Sequence, residues 1–332
     1  MNWTNQHVFV TGATGIVGSW LVKRLLDLGG HVVTLVRDWD PQTELVRSGD
    51  ILRTQVVNGR LEDFGSLERA INEHQIDTVF HLGAQPIVTA ALRNPLPTFE
   101  ANIRGSYNLL EACRVHRGLV GRVVVASSDK AYGDGPRLPY TEDMPANGRH
   151  PYDVSKSCTD LLALSYAHTY DLPVTVARCG NIYGGGDLNW SRIVPGTIRS
   201  VTLGQRPVIR SNGLFTRDYI YVQDVVDAYV SLAERCADEG VRGEAFNFSQ
   251  ETPVTVLEIT RIIQKLMSRE DLEPVILDQV RAEIRDQYLD STKAKCRLGW
   301  TAHHHLEAGL RETIAWYQRF FESRLGQPAL TE

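Results

Sequence analysis

The order of apolar runs predicts an α/β protein, a doubly wound parallel sheet with a smaller mixed α/β lobe toward the C-terminus. Three observations carry this. Short apolar runs alternate with helical patterns through the first half of the chain, which is the signature of strand–helix–strand units. A glycine-spaced turn joins the first run to the first helix. From Asn181 the alternation stops, broken by Gly184-Gly-Gly-Asp187, by the loop around Arg210–Gly213 and by Ser268–Pro274.

In chain order, His7-Val-Phe-Val10 is a first strand, a helix runs from Gly18 to about Leu28, and His31-Val-Val-Thr-Leu-Val36 is a second strand. Thr78–His81, Arg122–Ala126 and Val174–Ala177 are later buried strands. Helical patterns near Asn102–His116 and Tyr152–Tyr170 flank the last two. The expected division is residues 1–180 and 181–332, the two parts interleaved rather than folding separately.

The 332 residues are 42% hydrophobic and 23% charged, enough for one large core and a smaller lobe. A net charge of −5 with no Lys/Arg block gives no electrostatic case for nucleic acid. No apolar run approaches bilayer length, and the first residues lack a basic region followed by an apolar core. Five scattered cysteines without metal-ligand spacing read as small buried residues in a reducing compartment, so the cytoplasm is expected and no metal is.

Thr11-Gly12-Ala13-Thr14-Gly15-Ile16-Val17-Gly18 lies between the first strand and the first helix. Glycines there let backbone amides approach a diphosphate, and the helix N-terminus adds partial positive charge. Gly12, Thr14, Gly15, Ile16 and Gly18 are therefore the expected contacts of a Rossmann-type cofactor domain. At the end of the second strand, NAD-binding folds usually carry an acidic residue. Here Arg37 takes that place, with Asp38 next. Arg37 on a 2′-phosphate favours NADP, Asp38 on the ribose favours NAD, and a solvated Arg37 favours neither. Leu82-Gly83-Ala84 is a small-residue patch where backbone can lie close to the cofactor.

Tyr152 and Lys156 stand four residues apart at the start of a helical run, so both project from one face. An ammonium beside a phenol favours the phenolate and lowers its pKa, which makes a base for an alcohol hydroxyl. An ordinary helix start with an exposed lysine has the same spacing.

With these pieces the chain resembles the extended short-chain dehydrogenase/reductase family of nucleotide-sugar enzymes, over nearly its whole length. The resemblance rests on the glycine motif, His81-Leu-Gly-Ala-Gln85, Ser127-Ser128 ahead of Tyr132-Gly133, Tyr152/Lys156 and Arg178-Cys-Gly-Asn-Ile-Tyr-Gly184. It continues through Arg217-Asp-Tyr-Ile-Tyr-Val-Gln-Asp224, Leu298-Gly-Trp300 and Gly309-Leu-Arg-Glu-Thr313. It implies that Ser128 bonds the substrate hydroxyl beside Tyr152, and that Lys156 binds the nicotinamide ribose and holds the phenol pKa down. It places Asn181 on the substrate phosphate, Gln85 and Arg192 in the substrate site, and Arg217 on the diphosphate, where a guanidinium fork suits phosphate oxygens. Arg217 paired with Asp218 or Asp224 is the structural alternative. A second phosphate arginine is expected near Arg281 or Arg285. The family also implies a homodimer through a four-helix bundle made by the two long helices.

Ser127-Ser-Asp-Lys130 discriminates between reactions. A 4-epimerase oxidises C4, turns the ketone and reduces it, and needs no acid or base beyond Tyr152. Loss of water across C5 and C6 needs a group to take the C5 proton and another to protonate the departing hydroxyl. Sugar 4,6-dehydratases resemble this stretch, with an acid at the position of Asp129; the Asp129-Lys130 pairing with Gln85-Pro-Ile-Val88 looks most like the CDP-glucose 4,6-dehydratases. That resemblance implies an NAD- or NADP-dependent hydro-lyase whose cofactor is retained and recycled. Lys130 acts either as the base, which requires a neutral amine, or as a charged stabiliser of the enolate. A nucleotide-sugar 4-epimerase and a silent dinucleotide sensor are the other readings. His303-His-His305 suits a solvated helix start better than a metal, because consecutive side chains diverge. Gly184–Asp187 is expected to be a mobile loop closing over the sugar.

Overall fold

The computed structural model describes residues 1–135, 137–279 and 283–325. Its main sheet contains β1 (His7–Thr11), β2 (His31–Val36), β3 (Gln55–Asn58), β4 (Thr78–His81), β5 (Arg122–Ala126) and β6 (Val174–Cys179). After β7 (Asn181–Tyr183), β8 (Val208–Ile209), β9 (Thr216–Arg217) and β10 (Tyr219–Tyr221), the chain returns to that sheet as β11 (Ala245–Phe248). The order is β11-β6-β5-β4-β1-β2-β3, seven strands with every pairing parallel.

A parallel sheet covered on both faces needs apolar residues on both, so its strands read as continuous runs. Val8 and Val10 pack into one core with Phe80 and Val124, while Phe9 packs into the other with Val79, Val123 and Val125. The two cores are closed by helices. On the first face lie α1 (Ile16–Asp27) and, much later in the chain, the helix Val222–Arg235. On the second lie α2 (Phe64–Glu73), α3 (Gly105–Val115) and α4 (Pro151–Tyr170).

The strands read from the sequence are present, with β1 and β6 running slightly further. Two strands of this seven-stranded sheet are not among them. β3 is a short edge strand with an exposed Val56, so it lacks the apolar run that marked the others. β11 lies beyond Gly180, and its pairing of Ala245 with Val176 brings the second half of the chain back into the first layer. The helix expected near Asn102 opens with a wide π-type turn at Glu100–Arg104 before α3 begins. There the Asn102 side chain bonds the backbone N and O of Gln85 as well as Ser155, and its carbonyl accepts from Ser106 and Thr159. Such competing bonds favour a widened turn.

The smaller lobe is mixed, as expected. β7 pairs with β10, β8 with β13 (Val275–Ile276), and β9 lies between β12 (Val254–Thr255) and β14 (Asp286–Gln287). Only the β12–β9 pairing among these is antiparallel. A third apolar cluster joins Tyr183, Ile198, Ile263, Trp316, Tyr317 and Phe320.

Two expectations are corrected here. Gly184–Asp187 is a packed segment: a Cβ at Gly184 would meet Val222 at 2.4 Å, and one at Gly185 would meet Trp316 at 2.2 Å. Trp20 Nε1 donates to the Gly185 carbonyl and the Tyr317 hydroxyl to that of Asp187, so the glycines serve close approach. The cysteines are all free, but Cys296 is exposed rather than buried. The histidine run does precede a helix, Leu306–Leu325, and His303 N, His304 N and His304 Nδ1 all bond Asp224. Among the described residues no helix is long and apolar enough to cross a membrane.

Candidate active site

The C-terminal ends of β1, β4, β5 and β6 open on a cavity of about 1430 Å³ that extends into the smaller lobe. In an open parallel sheet this edge is where ligands bind. At the exit of β1, Gly12 has φ +70°, and a Cβ there would lie 2.7 Å from Gly83 N. The turn therefore presses against the chain leaving β4, which brings Leu82, Gly83 and Ala84 to the same wall. His81 fixes that junction, bonding Thr11 Oγ1 at 2.9 Å and Ser106 Oγ at 3.0 Å; burial, then the Lys156 charge, push its pKa down to about 3. Gly15 precedes α1 with no side-chain cap, so the first-turn amides of that helix are available to the cavity, as a diphosphate requires. Gly12, Thr14, Gly15, Ile16 and Gly18 all line it. The donor set fits a dinucleotide.

At the end of β2, Arg37 Nε donates to Asp38 Oδ2 at 2.5 Å. Both side chains are exposed and both lie on the cavity wall. Arg37 is thus already matched by a neighbouring carboxylate.

Beyond β5 the chain turns through Asp129–Tyr132, a single 3₁₀ turn capped by Ser128, whose Oγ accepts from Lys130 N at 3.2 Å. The same hydroxyl donates to Asp129 Oδ1 at 2.9 Å. Asp129 is buried, and its Oδ2 has no hydrogen-bond partner among the described residues. Lys130 Nζ donates to Gln287 Oε1 at 2.8 Å. Tyr152 and Lys156 stand in the first two turns of α4, where Lys156 Nζ donates to the Ala126 carbonyl at 2.8 Å. Ser128, Asp129, Lys130, Tyr152 and Lys156 all face one cavity.

Burial is the largest influence on each ionisable group in this cluster. It raises the Asp129 carboxyl against the pull of Lys130, Ser128 and Arg217. It lowers the Lys130 amine, with Arg217 acting the same way and Asp129, Glu283 and Asp153 opposing. It lowers Lys156 to about 8 and pushes the Tyr152 phenol up to about 12. The sequence reading expects a lowered phenol pKa, whereas burial in the structure raises it. The groups that pull it down are the Arg192 charge and a hydrogen bond with Ser128, while burial outweighs both.

The other expected contacts divide. Asn181 and Arg192 line the cavity, Arg192 paired with Asp187 at 3.1 Å. Arg217 lines it too, and its ion-pair partner is Glu283 at 2.7 Å rather than Asp218 or Asp224. Its guanidinium also donates to the carbonyls of Thr216, Ile284 and Arg285. Gln85 is not on the cavity wall: its side-chain oxygen accepts from Ile87 N at 2.6 Å. Arg285 also stays off the wall, and Arg281 lies outside the described residues. The sequence offered no signal for Gln287, which reaches Lys130 from a two-residue strand far along the chain.

Lys156 yields a pH prediction. Its folded-state pKa of about 8 lies below the ordinary 10.5, so its charged form opposes folding. Between those values the unfolded chain binds more protons, so this residue makes stability rise with pH across that window. Urea unfolding at a series of pH values is expected to show a shallower rise in Lys156→Met than in the wild-type protein. Identical slopes contradict the assignment.

The model of the NAD dependent epimerase/dehydratase family matches residues 8–248. The CDP-glucose 4,6-dehydratase of Salmonella typhimurium is 30% identical, over 95% of this chain and 91% of that protein. Among solved structures, the UDP-glucose 4-epimerase of Thermotoga maritima with UDP-glucose superposes with a TM-score of 0.86 at 28% identity, covering 95% of this chain and 100% of the other. The dTDP-glucose 4,6-dehydratase of Streptomyces venezuelae, solved with NAD bound, gives a TM-score of 0.85 at 25% identity, covering 95% and 97%. With the glycine turn, the uncapped helix start and the Tyr152/Lys156 pair in place, the chain belongs to the NAD dependent epimerase/dehydratase family.

Proposed function

We propose that the protein is a nucleotide-hexose 4,6-dehydratase, similar to CDP-glucose 4,6-dehydratase, which converts its substrate to the 4-keto-6-deoxy form. The observation that carries this reading is the placement of Asp129 and Lys130 on the same cavity wall as Tyr152. A 4-epimerase has no work for either. NAD⁺, when bound, would accept the C4 hydrogen as hydride and, once reduced to NADH, return it to C6; its positive charge would draw the phenol toward ionisation.

In this mechanism Tyr152 takes the C4 hydroxyl proton as hydride leaves C4. The resulting ketone acidifies the C5 hydrogen. The neutral Lys130 amine takes it as a proton, leaving the electron pair in the enolate. Asp129, protonated, gives its proton to the departing C6 hydroxyl, and water leaves. With hydride returned at C6, Lys130 returns a proton to C5, and the proton held by Tyr152 passes through Ser128 to Asp129, restoring both residues. Burial supports both roles, since it favours the neutral acid at Asp129 and the neutral amine at Lys130. Ser128 orients the substrate hydroxyl between Tyr152 and Asp129. Lys156 holds the nicotinamide ribose. Asn181, Arg192 and Arg217 hold the sugar nucleotide from the lobe side.

The cofactor is NAD, retained through the cycle because it ends as it began. The close Arg37–Asp38 pair supports NAD over NADP, because Asp38 would repel a 2′-phosphate beside it. Residues 1–180 form the cofactor domain and 181–332 the nucleotide-sugar lobe, interleaved through β11 and the helix Val222–Arg235. A cytoplasmic location suits the five free thiols. A homodimer through α3 and α4 fits the exposed Tyr107, Val115, Leu161 and Tyr170 on those helices. Sedimentation is expected to give a dimer that Leu161→Arg converts to monomer; a monomeric wild-type protein contradicts that pairing.

The chemistry is tested by offering CDP-, dTDP-, UDP- and GDP-glucose and weighing the products. At least one is expected to yield a product lighter by one water. Asp129→Asn is expected to slow water loss about 10²–10⁴-fold while C4 oxidation persists. Lys130→Ala is expected to abolish exchange of the C5 hydrogen with deuterated solvent. Full dehydration by the first variant, or wild-type exchange by the second, removes that residue from the mechanism.

A further inference from the structure

Lys130 is held in place from the far end of the chain. Gln287 lies on β14, which pairs in parallel with β9 so that Gln287 stands opposite Arg217. Its side chain is fully buried, and its Oε1 accepts from Lys130 Nζ at 2.8 Å. Its Nε2 has no hydrogen-bond partner among the described residues. The large majority of buried side-chain polar atoms are hydrogen-bonded. Here the polar end in use is the one turned to Lys130. The charged groups around that amine come from several elements. Asp129 sits on its own turn, Arg217 on β9, Glu283 on the approach to β14 and Asp153 on α4. Three of them favour the ammonium and one opposes it, whereas Gln287 brings a hydrogen bond without a charge.

We propose that Gln287 is the positioning residue of Lys130: its carbonyl oxygen accepts one N–H of the amine in either charge state and so orients the two remaining positions, among them the lone pair of the neutral amine, toward the substrate. An amine has an N–H to give whether or not it carries the extra proton. A carboxylate at this position would form an ion pair and fix the proton on nitrogen. An apolar side chain would leave the amine free to turn. This assignment rests on the reading of Lys130 as the C5 base, and it names what keeps that base both oriented and able to change charge.

Two variants separate the contributions. Gln287→Glu adds a charge in the same shape, and Gln287→Met removes the acceptor while keeping volume. Lys130 is titrated directly, from the pH dependence of its acetylation by acetic anhydride read on its peptide by mass spectrometry. Water loss is followed against pH with whichever of CDP-, dTDP-, UDP- or GDP-glucose the wild-type protein turns over fastest. Gln287→Glu is expected to raise the Lys130 midpoint by about one pH unit or more. The acid limb of the water-loss rate moves up with it, about a tenfold loss per unit at pH below the limb. Gln287→Met is expected to lower kcat about tenfold or more across the profile, with KM little changed and no upward shift of the midpoint. Midpoint and limb unmoved in Gln287→Glu, or full kcat in Gln287→Met, overturn the assignment. A midpoint that moves in a protein that dehydrates none of the four nucleotides leaves Gln287 as the holder of Lys130 and removes the dehydratase reading instead.

Discussion

Withdrawal from water governs the whole pocket. Asp129, Lys130, Tyr152 and Lys156 face one cavity, and for each the leading influence on its protonation is burial, ahead of any neighbouring charge. A carboxyl pushed toward its acid form and an amine pushed toward its free base are the complementary pair that elimination of water requires. Set in solvent at neutral pH, the carboxyl would be ionised and the amine protonated, the reverse of the states that elimination requires. The phenol shows the other side of this constraint, because burial also opposes its ionisation. The Arg192 charge works against that opposition, and so would that of NAD⁺ once bound.

The sheet brings these groups together. β1 delivers the glycine turn, β4 the small residues Leu82–Ala84, β5 the Ser128–Lys130 turn and β6 the approach to Asn181, all at one edge. Close backbone approach sustains the arrangement, since the Gly12 turn touches the exit of β4 with no room for a side chain between them. The lobe completes the site from the opposite side. Arg217 is seated by three backbone carbonyls and Glu283, and Arg192 is tied to Asp187, so both cations are positioned by the fold.

The parts legible in the sequence share a physical reason. Central parallel strands are apolar on both faces, so β1, β2, β4, β5 and β6 stand out as continuous runs, and the glycine turn is constrained by geometry that few residues satisfy. Family likeness then put Ser128, Asp129, Lys130, Tyr152 and Lys156 forward together, and the fold gathers them in one cavity. What stayed hidden depends on long-range contact. β3 carries too little apolar surface to be read, and β11 is recognisable as part of the sheet only through its pairing with β6. Gly184–Gly186 reads as flexible from its composition, whereas Val222 and Trp316 pack against it. Gln85 looked like a substrate contact, yet its side chain closes a local turn on Ile87 N. Spacing puts Lys156 on the same helix face as the phenol, but it gives no sign that Arg192 acts on Tyr152 from elsewhere in the chain.

In the proposed reaction a hydrogen removed at C4 ends on C6 because water is lost between the two steps within one pocket. Substrate deuterated at C4 tests it most directly. The expected result is a 4-keto-6-deoxy product carrying that deuterium in its C6 methyl group, delivered within the same molecule. Deuterium recovered at C4 of an epimerised hexose, with no water lost, would contradict it and leave Asp129 and Lys130 without a chemical role.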